Sequence, residues 1–353
     1  MSLLSMSGIR HAFGDLEVLH GVTLDVEAGQ VTSLLGPSGC GKSTLLRIAA
    51  GLETLQAGEV RIDGQVLATP GNSAPPERRG VGMVFQDYAL FPHLSVMDNI
   101  LFGVRRGRRE RRAWAVRALE KNGLGNTAER FPHVLSGGQQ QRVALLRALA
   151  AQPRVLLMDE PFSGLDVTLR ARVRDDTLEI LREEGVAALM VTHDPEEAMI
   201  LSDHILVMND GVIVQSGTPG DIYWNPADAF VAGLFGTLNK LPGVVENATV
   251  RTPLGVFEAP GIPEGRAVDV MFRPAALQLS PATHGENTGP RARVTDYHLL
   301  GQATDVRLEM LPDSASSPLR LRAWVPGICR AQRGADADIV VDAEKVFVFP
   351  CAR

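Results

Sequence analysis

The sequence predicts an α/β fold built on a parallel sheet, with a small antiparallel β domain after it. Three observations carry this expectation. An apolar run, Val31 to Leu35, leads through a glycine-rich turn into a helical pattern beginning near Lys42. Two further wholly apolar runs, Val155 to Met158 and Ala187 to Val191, end in Asp159-Glu160 and in His193-Asp194, as strands buried on both faces of a parallel sheet do. Beyond about residue 237, short β-like stretches separated by proline and glycine replace that alternation.

The glycine-rich turn is Gly36-Pro37-Ser38-Gly39-Cys40-Gly41-Lys42-Ser43-Thr44. Strand, glycine turn and helix start form the context a phosphate-binding loop requires. Gly36, Gly39 and Gly41 let the backbone curl so that successive N–H groups face an anion. The following helix adds its own free N–H groups and its dipole. Lys42 can reach the outer phosphates, and the Ser43 hydroxyl can hold Mg²⁺.

The remaining elements follow in order. Residues 1–30 read as an antiparallel section in which Phe13 is either edge packing or a ring for a base to stack on. Gly58 to Val66 reads as a hairpin turning at Asp63-Gly64. Val81 to Phe85 reads as a second central strand ending at Gln86, a polar residue where α/β proteins bind ligands. Residues 88–150 become mostly helical. Their arginine-dense piece, Arg105 to Arg112, is read as a solvated helix face rather than a nucleic-acid or lipid patch, given the overall acidity. In Leu135-Ser136-Gly137-Gly138-Gln139, Ser136 is a good N-cap and the glycines free the backbone to approach an anion, which makes a second phosphate-reading helix start. The carboxylates of Asp159 and Glu160 at a buried strand end need a partner, and Mg²⁺ with a water to be activated supplies one. His193 ends a third such strand and converges on the same sheet edge. In the last third, the β pieces at 267–272, 291–294, 304–308, 319–325 and 339–349 suggest a small barrel or sandwich, with exposed loops at 284–290 and 312–318.

Bulk composition narrows the function. Of 353 residues, 45% are hydrophobic and 22% charged, so the chain can bury an ordinary core. A formal net charge of -6 argues against nucleic acid as a partner. No apolar run approaches the length that spans a bilayer, and the N-terminus lacks the apolar segment of a signal peptide. Cys40, Cys329 and Cys351 are too few and too scattered for a disulfide framework or a zinc site, which fits a reduced interior.

Taken in order, the phosphate loop, Gln86, Leu135 to Gln139, Asp159-Glu160, Ser163-Gly164-Leu165-Asp166 and His193 resemble the ATP-binding subunits of bacterial ABC importers, over nearly all of residues 3–236. The resemblance implies a P-loop NTPase of ABC type, with ATP and Mg²⁺ as cofactors and two copies paired head to tail around the nucleotide. It places Phe13 on adenine, Lys42 on the β- and γ-phosphates, and Ser43, Gln86 and Asp159 at the metal. Glu160 becomes the general base, His193 positions the γ-phosphate, Ser136 and Gly138 reach the nucleotide of the other copy, and Asp166 couples the two sites. Gly164 departs from the alanine common in the family and removes no functional group.

The C-terminal part resembles the accessory OB-like barrel of many import ATPases, with Phe272-Arg273-Pro274 and Leu277-Gln278-Leu279 matching its recurring motif. The implied domains are residues 1–236, containing a helical subdomain at about 88–150, and 237–353. The implied partners are separate permease chains docking near Tyr88-Ala89-Leu90-Phe91-Pro92-His93, and indirectly a periplasmic or surface solute-binding protein. The implied location is the cytoplasmic face of the cell membrane. Chain length, Phe91-Pro92-His93 and the ending Val346 to Pro350 look most like ferric-iron importers, while polyamine, sulfate, thiamine, phosphonate and sugar importers share nearly the same ATPase. A DNA-repair ATPase of the same superfamily would need coiled-coil insertions that the compact stretch between phosphate loop and Ser136 leaves no room for. A regulatory switch with a ligand-sensing barrel is the reading of another class.

Overall fold

The computed structural model describes residues 2–282, 289–310, 318–329 and 332–351. The loops expected at 284–290 and 312–318 lie, apart from their last residues, outside that set. The chain divides into two compact units, Met1–Asn225 and Pro226–Arg353. The division falls earlier than residue 236 because the short helix Ala229–Leu234 belongs with the second unit, where buried Arg273 donates to the carbonyls of Ala232 (3.3 Å) and Phe235 (3.4 Å).

The first unit holds two sheets. Five antiparallel strands run in the order Leu16–Glu27, Ser2–Phe13, Ala57–Ile62, Gln65–Thr69, Asn72–Ser73. Six strands form the core sheet in the order Val212–Gly217, His204–Asn209, Val31–Leu35, Ala187–Thr192, Val155–Asp159, Val81–Val84. All neighbours in the core sheet are parallel except the hairpin pair His204–Asn209 and Val212–Gly217. The three middle strands are buried at every position, which explains their unbroken apolar sequence.

Alternate side chains of that sheet serve two different cores. Leu34, Leu157 and Leu189 pack with Leu45, Leu46 and Ile48 of the helix Lys42–Ala50 and with Leu4, Leu24 and Val60 of the antiparallel sheet. Leu156, Met158 and Met190 pack on the other face with Leu145 and Leu149 of the helix Gly137–Ala150 and Val173 and Leu181 of the helix Val167–Glu184. A third cluster unites Val96, Ile100 and Leu101 with Leu119 and Leu146, joining the helices Val96–Leu101 and Arg108–Lys121 to Gly137–Ala150.

One expectation is corrected. Val81–Val84 is the edge of the core sheet and not a central strand, and its burial alternates accordingly between half-buried and buried. Gly82 is instead explained by the helix packed on that face, since an added Cβ would lie 3.0 Å from the Ala148 carbonyl.

The second unit is antiparallel throughout its pairings. One sheet runs Gly255–Glu258, Thr249–Thr252, Asn239–Glu246, Ala267–Phe272, Val346–Pro350; the other runs Leu277–Pro281, Asp336–Val341, Arg291–Leu299, Ala303–Met310, Leu319–Pro326. Val270 and Phe272 of the first sheet share one apolar cluster with Val306, Leu308, Leu321 and Ile339 of the second. The stretch expected as one strand over 339–349 is two, separated by a single turn, Ala343–Lys345, that Asp342 caps.

Candidate nucleotide site

The parallel register sets where polar residues gather. Leu35 pairs with Thr192, Asp159 with Val191 and Val84 with Met158, so four strands end at one edge of the sheet. The residues that follow those ends are Gly36, His193, Glu160 and Phe85-Gln86. This is the edge at which open α/β sheets bind ligands.

The glycine-rich loop closes on itself. Gly36 is buried beneath the backbone of Met208, whose carbonyl oxygen any Cβ would strike. Gly41, at φ 104°, is the N-cap of Lys42–Ala50 and lies so close to Val18 that a Cβ would come within 2.7 Å of its carbonyl oxygen. Pro37, Ser38 and Gly39 are exposed at the rim. Lys42 is almost wholly buried, and its Nζ donates to the carbonyls of Gly36 (2.8 Å) and Pro37 (2.7 Å), which places the ammonium across the mouth of the loop. Cys40 lies under it with Sγ 3.9 Å from that Nζ, and burial pushes the thiol pKa up against the opposing pull of Lys42. Thr44 is half-buried on the first turn of the helix.

Ser43 Oγ donates to Asp159 Oδ1 at 2.9 Å. Burial raises the Asp159 pKa, and Glu160 beside it adds to the effect, while the Ser43 hydroxyl, Arg47 and Lys42 oppose it. A buried carboxylate held high in this way gains from a cation. The hydroxyl and carboxylate are hard oxygen donors of the kind Mg²⁺ takes, and Mg²⁺ completes its octahedron with waters and phosphate oxygens rather than with a protein cage. The residues present therefore fit that ion, although no group of three or more His, Cys, Asp or Glu side chains forms a metal cluster among the described residues.

Glu160 departs from the strand geometry that precedes it. Its φ is 43°, in the left-handed region, and its N–H donates to the Val191 carbonyl at 2.9 Å. The turn is fastened by Ser163, whose Oγ donates to the Glu160 carbonyl (3.1 Å). The carboxylate is thus swung off the strand, and His193 Nδ1 sits 3.1 Å from Glu160 Oε2. The far side of the His193 loop is held by Thr192 Oγ1, which donates to buried Glu197 at 2.6 Å and accepts from Asp194 N–H at 3.0 Å. Backbone kept in a sparsely populated region by such fastenings is a mark of functional sites.

The other expected residues make no hydrogen bond or ion pair with this group among the described residues. Gln86 is exposed just past the edge strand. Phe13 is 51% exposed, backed by the ring of His11 at 4.6 Å and 72°. Ser136 caps Gly137–Ala150 through a reciprocal box with Gln139. Asp166 caps Val167–Glu184, accepting from Leu169 N–H. No hydrogen bond or ion pair among the described residues joins Ser136, Gly138 or Asp166 to the phosphate loop. Gly138 has a packing reason within the chain: a Cβ there would meet Val173 Cγ2 at 2.8 Å and Leu169 Cδ1 at 2.9 Å.

Two supporting residues escaped sequence reasoning. Arg79 is fully buried and donates to Ile48, Ala49 and Ala74 carbonyls and to Ser73 Oγ, closing the C-terminal end of the phosphate-loop helix. His11 is 2% exposed behind Phe13, with Nε2 3.9 Å from Glu53. Neither lies in a motif; an arginine after a loop and a histidine in a strand carry no local signal.

The family described as "ABC transporter" matches residues 19–163. An Fe(3+) ions import ATP-binding protein, FbpC, of Mesorhizobium japonicum is 40% identical over 91% of this chain and 93% of its own length. The FbpC of Streptomyces coelicolor is 42% identical over 99% and 97%, and a sulfate/thiosulfate import ATP-binding protein, CysA 1, of Chromobacterium violaceum is 40% identical over 98% and 97%. Among solved structures, a nucleotide-free ATP-binding cassette from an ABC transporter superposes with a TM-score of 0.57 at 26% identity, covering 67% of this chain and all of that one. The chain belongs to the ATP-binding, ATP-hydrolysing subunits of ABC importers.

Proposed function

We propose that the protein energises import of ferric iron through a separate permease, hydrolysing Mg-ATP in sites shared by two head-to-tail copies. The observation that carries the catalytic part is the convergence of Lys42, the Ser43–Asp159 pair and the Glu160–His193 pair on one sheet edge. The loop amides and Lys42 take the β- and γ-phosphates, Lys42 exchanging its two carbonyl partners for phosphate oxygens. Ser43, Asp159 and Gln86 would hold Mg²⁺, which would supply positive charge against the phosphates.

Glu160 accepts the proton of the attacking water, and the His193 contact fixes the orientation of its carboxylate while the opposite ring edge faces the γ-phosphate. Phe13 stacks on adenine. Ser136 and Gly138, with Asp166, serve the nucleotide of the second copy, a reading supported by the lack of any hydrogen bond from them to the chain's own loop among the described residues. Site assembly then requires closure, which couples hydrolysis to transport. Glu160→Gln tests the assignment: nucleotide binding persists and phosphate release falls by about two orders of magnitude or more, and hydrolysis near the unsubstituted rate would remove Glu160 from the base role.

The partners proposed are a second copy, permease chains meeting the segment from Tyr88 to His93, and indirectly a solute-binding protein. The protein would then be peripheral at the cytoplasmic face; no helix among the described residues is long and apolar enough to cross a membrane. Iron as cargo is supported by near full-length similarity to two iron(III) import proteins. The sulfate/thiosulfate relative at equal identity supplies the competing cargo. Uptake of labelled iron and labelled sulfate in cells lacking the gene decides between them, loss of iron uptake alone supporting the proposal.

A further inference from the structure

Tyr88 stands where three functional segments meet. The chain reverses there through two successive residues in the left-handed region, Tyr88 at φ 61° and Ala89 at φ 45°. Arg147 holds the reversal, donating to the carbonyls of Tyr88 (3.0 Å) and Ala89 (2.6 Å) while its guanidinium lies 5.4 Å from the centre of the Phe91 ring. Asn99 fixes the next turn by bonding both the N–H and the carbonyl of Phe91. This conformation drives the Tyr88 ring inward, where it is 9% exposed and packs with Phe162, Leu165 and Val84.

Its phenol oxygen reaches the gap between two loops. A Cβ built on Gly164 would lie 3.4 Å from it, and one built on Gly137 would lie 4.0 Å away. Those glycines belong to Ser163–Asp166 and to the start of the helix that Ser136 caps. The hydroxyl is buried and has no hydrogen-bond partner among the described residues. An unsatisfied buried hydroxyl costs free energy that phenylalanine, of the same shape, would not. Folding of this conformation therefore does not explain why the ring carries an oxygen.

We propose that Tyr88 is a positioning residue whose hydroxyl bonds the backbone of the Ser163–Asp166 segment when two copies close over ATP, tying that segment and the Ser136 loop to the segment after Gln86. The proposal rests on the shared-site reading above. Gly164 leaves the oxygen an open approach, and the Arg147 clasp passes any displacement of Phe91 directly to the ring.

The test compares Glu160→Gln with Glu160→Gln/Tyr88→Phe by sedimentation across a series of Mg-ATP concentrations, together with the unfolding temperature and single-copy ATP affinity of Tyr88→Phe. The expected result is unchanged or higher thermal stability, unchanged nucleotide affinity, and about fivefold more ATP needed for half-maximal dimer, the ratio one ordinary hydrogen bond per copy gives. Equal dimerisation of the two variants would overturn the role of Tyr88 and leave the shared site standing. A fall in unfolding temperature would also overturn it, by making the hydroxyl structural. Failure of Glu160→Gln itself to dimerise would overturn the shared-site reading and this proposal with it.

Discussion

Arg79 is the sharpest place to test how the phosphate loop is held. The helix Lys42–Ala50 ends at Gly51, φ 79°, where backbone N–H groups satisfy the Arg47 and Ile48 carbonyls and Arg79 satisfies the Ala49 carbonyl. The guanidinium gives two bonds to Ile48 (2.7 Å) and Ala49 (2.9 Å), one to Ala74 (2.9 Å) and one to Ser73 Oγ (2.7 Å). Burial pushes its pKa down, yet its charge sits against the negative end of a helix, where a cation is favoured. Arg79→Met keeps the apolar stem and removes all four bonds. Ile48 retains the Gly51 N–H, so the losses fall on the Ala49 and Ala74 carbonyls. Stranding the buried Ala49 acceptor at about 2 kcal/mol and the half-buried Ala74 acceptor at about 1 kcal/mol costs about 3 kcal/mol in all. For a unit of this size that lowers the unfolding temperature by about 6–12 °C, measurable by calorimetry without nucleotide. Arg79→Lys recovers less than half of the loss, because an ammonium cannot span the same fork of acceptors. A drop under about 2 °C for Arg79→Met would refute the reasoning and mean that water takes over the carbonyls.

Three other outcomes follow from the same geometry. Gly138→Ala forces a Cβ against the stiff, fully buried Val173, and overpacking of about 1–3 kcal/mol should lower stability in the absence of any nucleotide; a neutral result would leave phosphate approach as the reason for the glycine. Asp159 is held above the usual carboxylate range by burial, so its ionised form costs stability above that raised pKa, and the cost vanishes as pH falls through it. Asp159→Asn should accordingly raise nucleotide-free stability at neutral pH, with the gain shrinking on acidification, while Mg-dependent hydrolysis is lost; a gain that persists at low pH would contradict the sign. Cys40 should react with maleimide far more slowly than half-buried Cys329 and Cys351, because burial raises its thiol pKa, and mass spectrometry of the labelled peptides reads the order directly.

What could be read from the sequence was what local chemistry dictates. The loop from Gly36 to Thr44 is legible because close backbone approach at Gly36 and positive φ at Gly41 admit few residue types. Asp159 and Glu160 are legible because carboxylates after a wholly buried strand demand a reason. Strand order is not local: Val81–Val84 has the same apolar content as a central strand, and only its pairing on one side makes it an edge. Asn239–Glu246 is missing from the expected β pieces because Pro242 and Gly243 interrupt its pattern, whereas in the structure a Cβ at Gly243 would strike Val250 of the neighbouring strand. Arg79, and the inward role of the Tyr88 ring, were not legible for a related reason, since Ile48 and Ala49 lie about 30 residues from Arg79 and Arg147 lies 59 from Tyr88. The contact between His193 and Glu160 was only half legible: convergence on one edge followed from the strand ends, the hydrogen-bonded pair did not.

The central claim is that ATP is enclosed between two copies of this chain. The solution mass of Glu160→Gln, measured with and without Mg-ATP, tests it most directly. The account predicts a single-copy mass without nucleotide and a doubling when Mg-ATP is added, reversed when Ser136→Arg blocks the helix start that faces the second nucleotide. A mass that does not change with Mg-ATP, in a variant shown to bind it, would contradict the shared site.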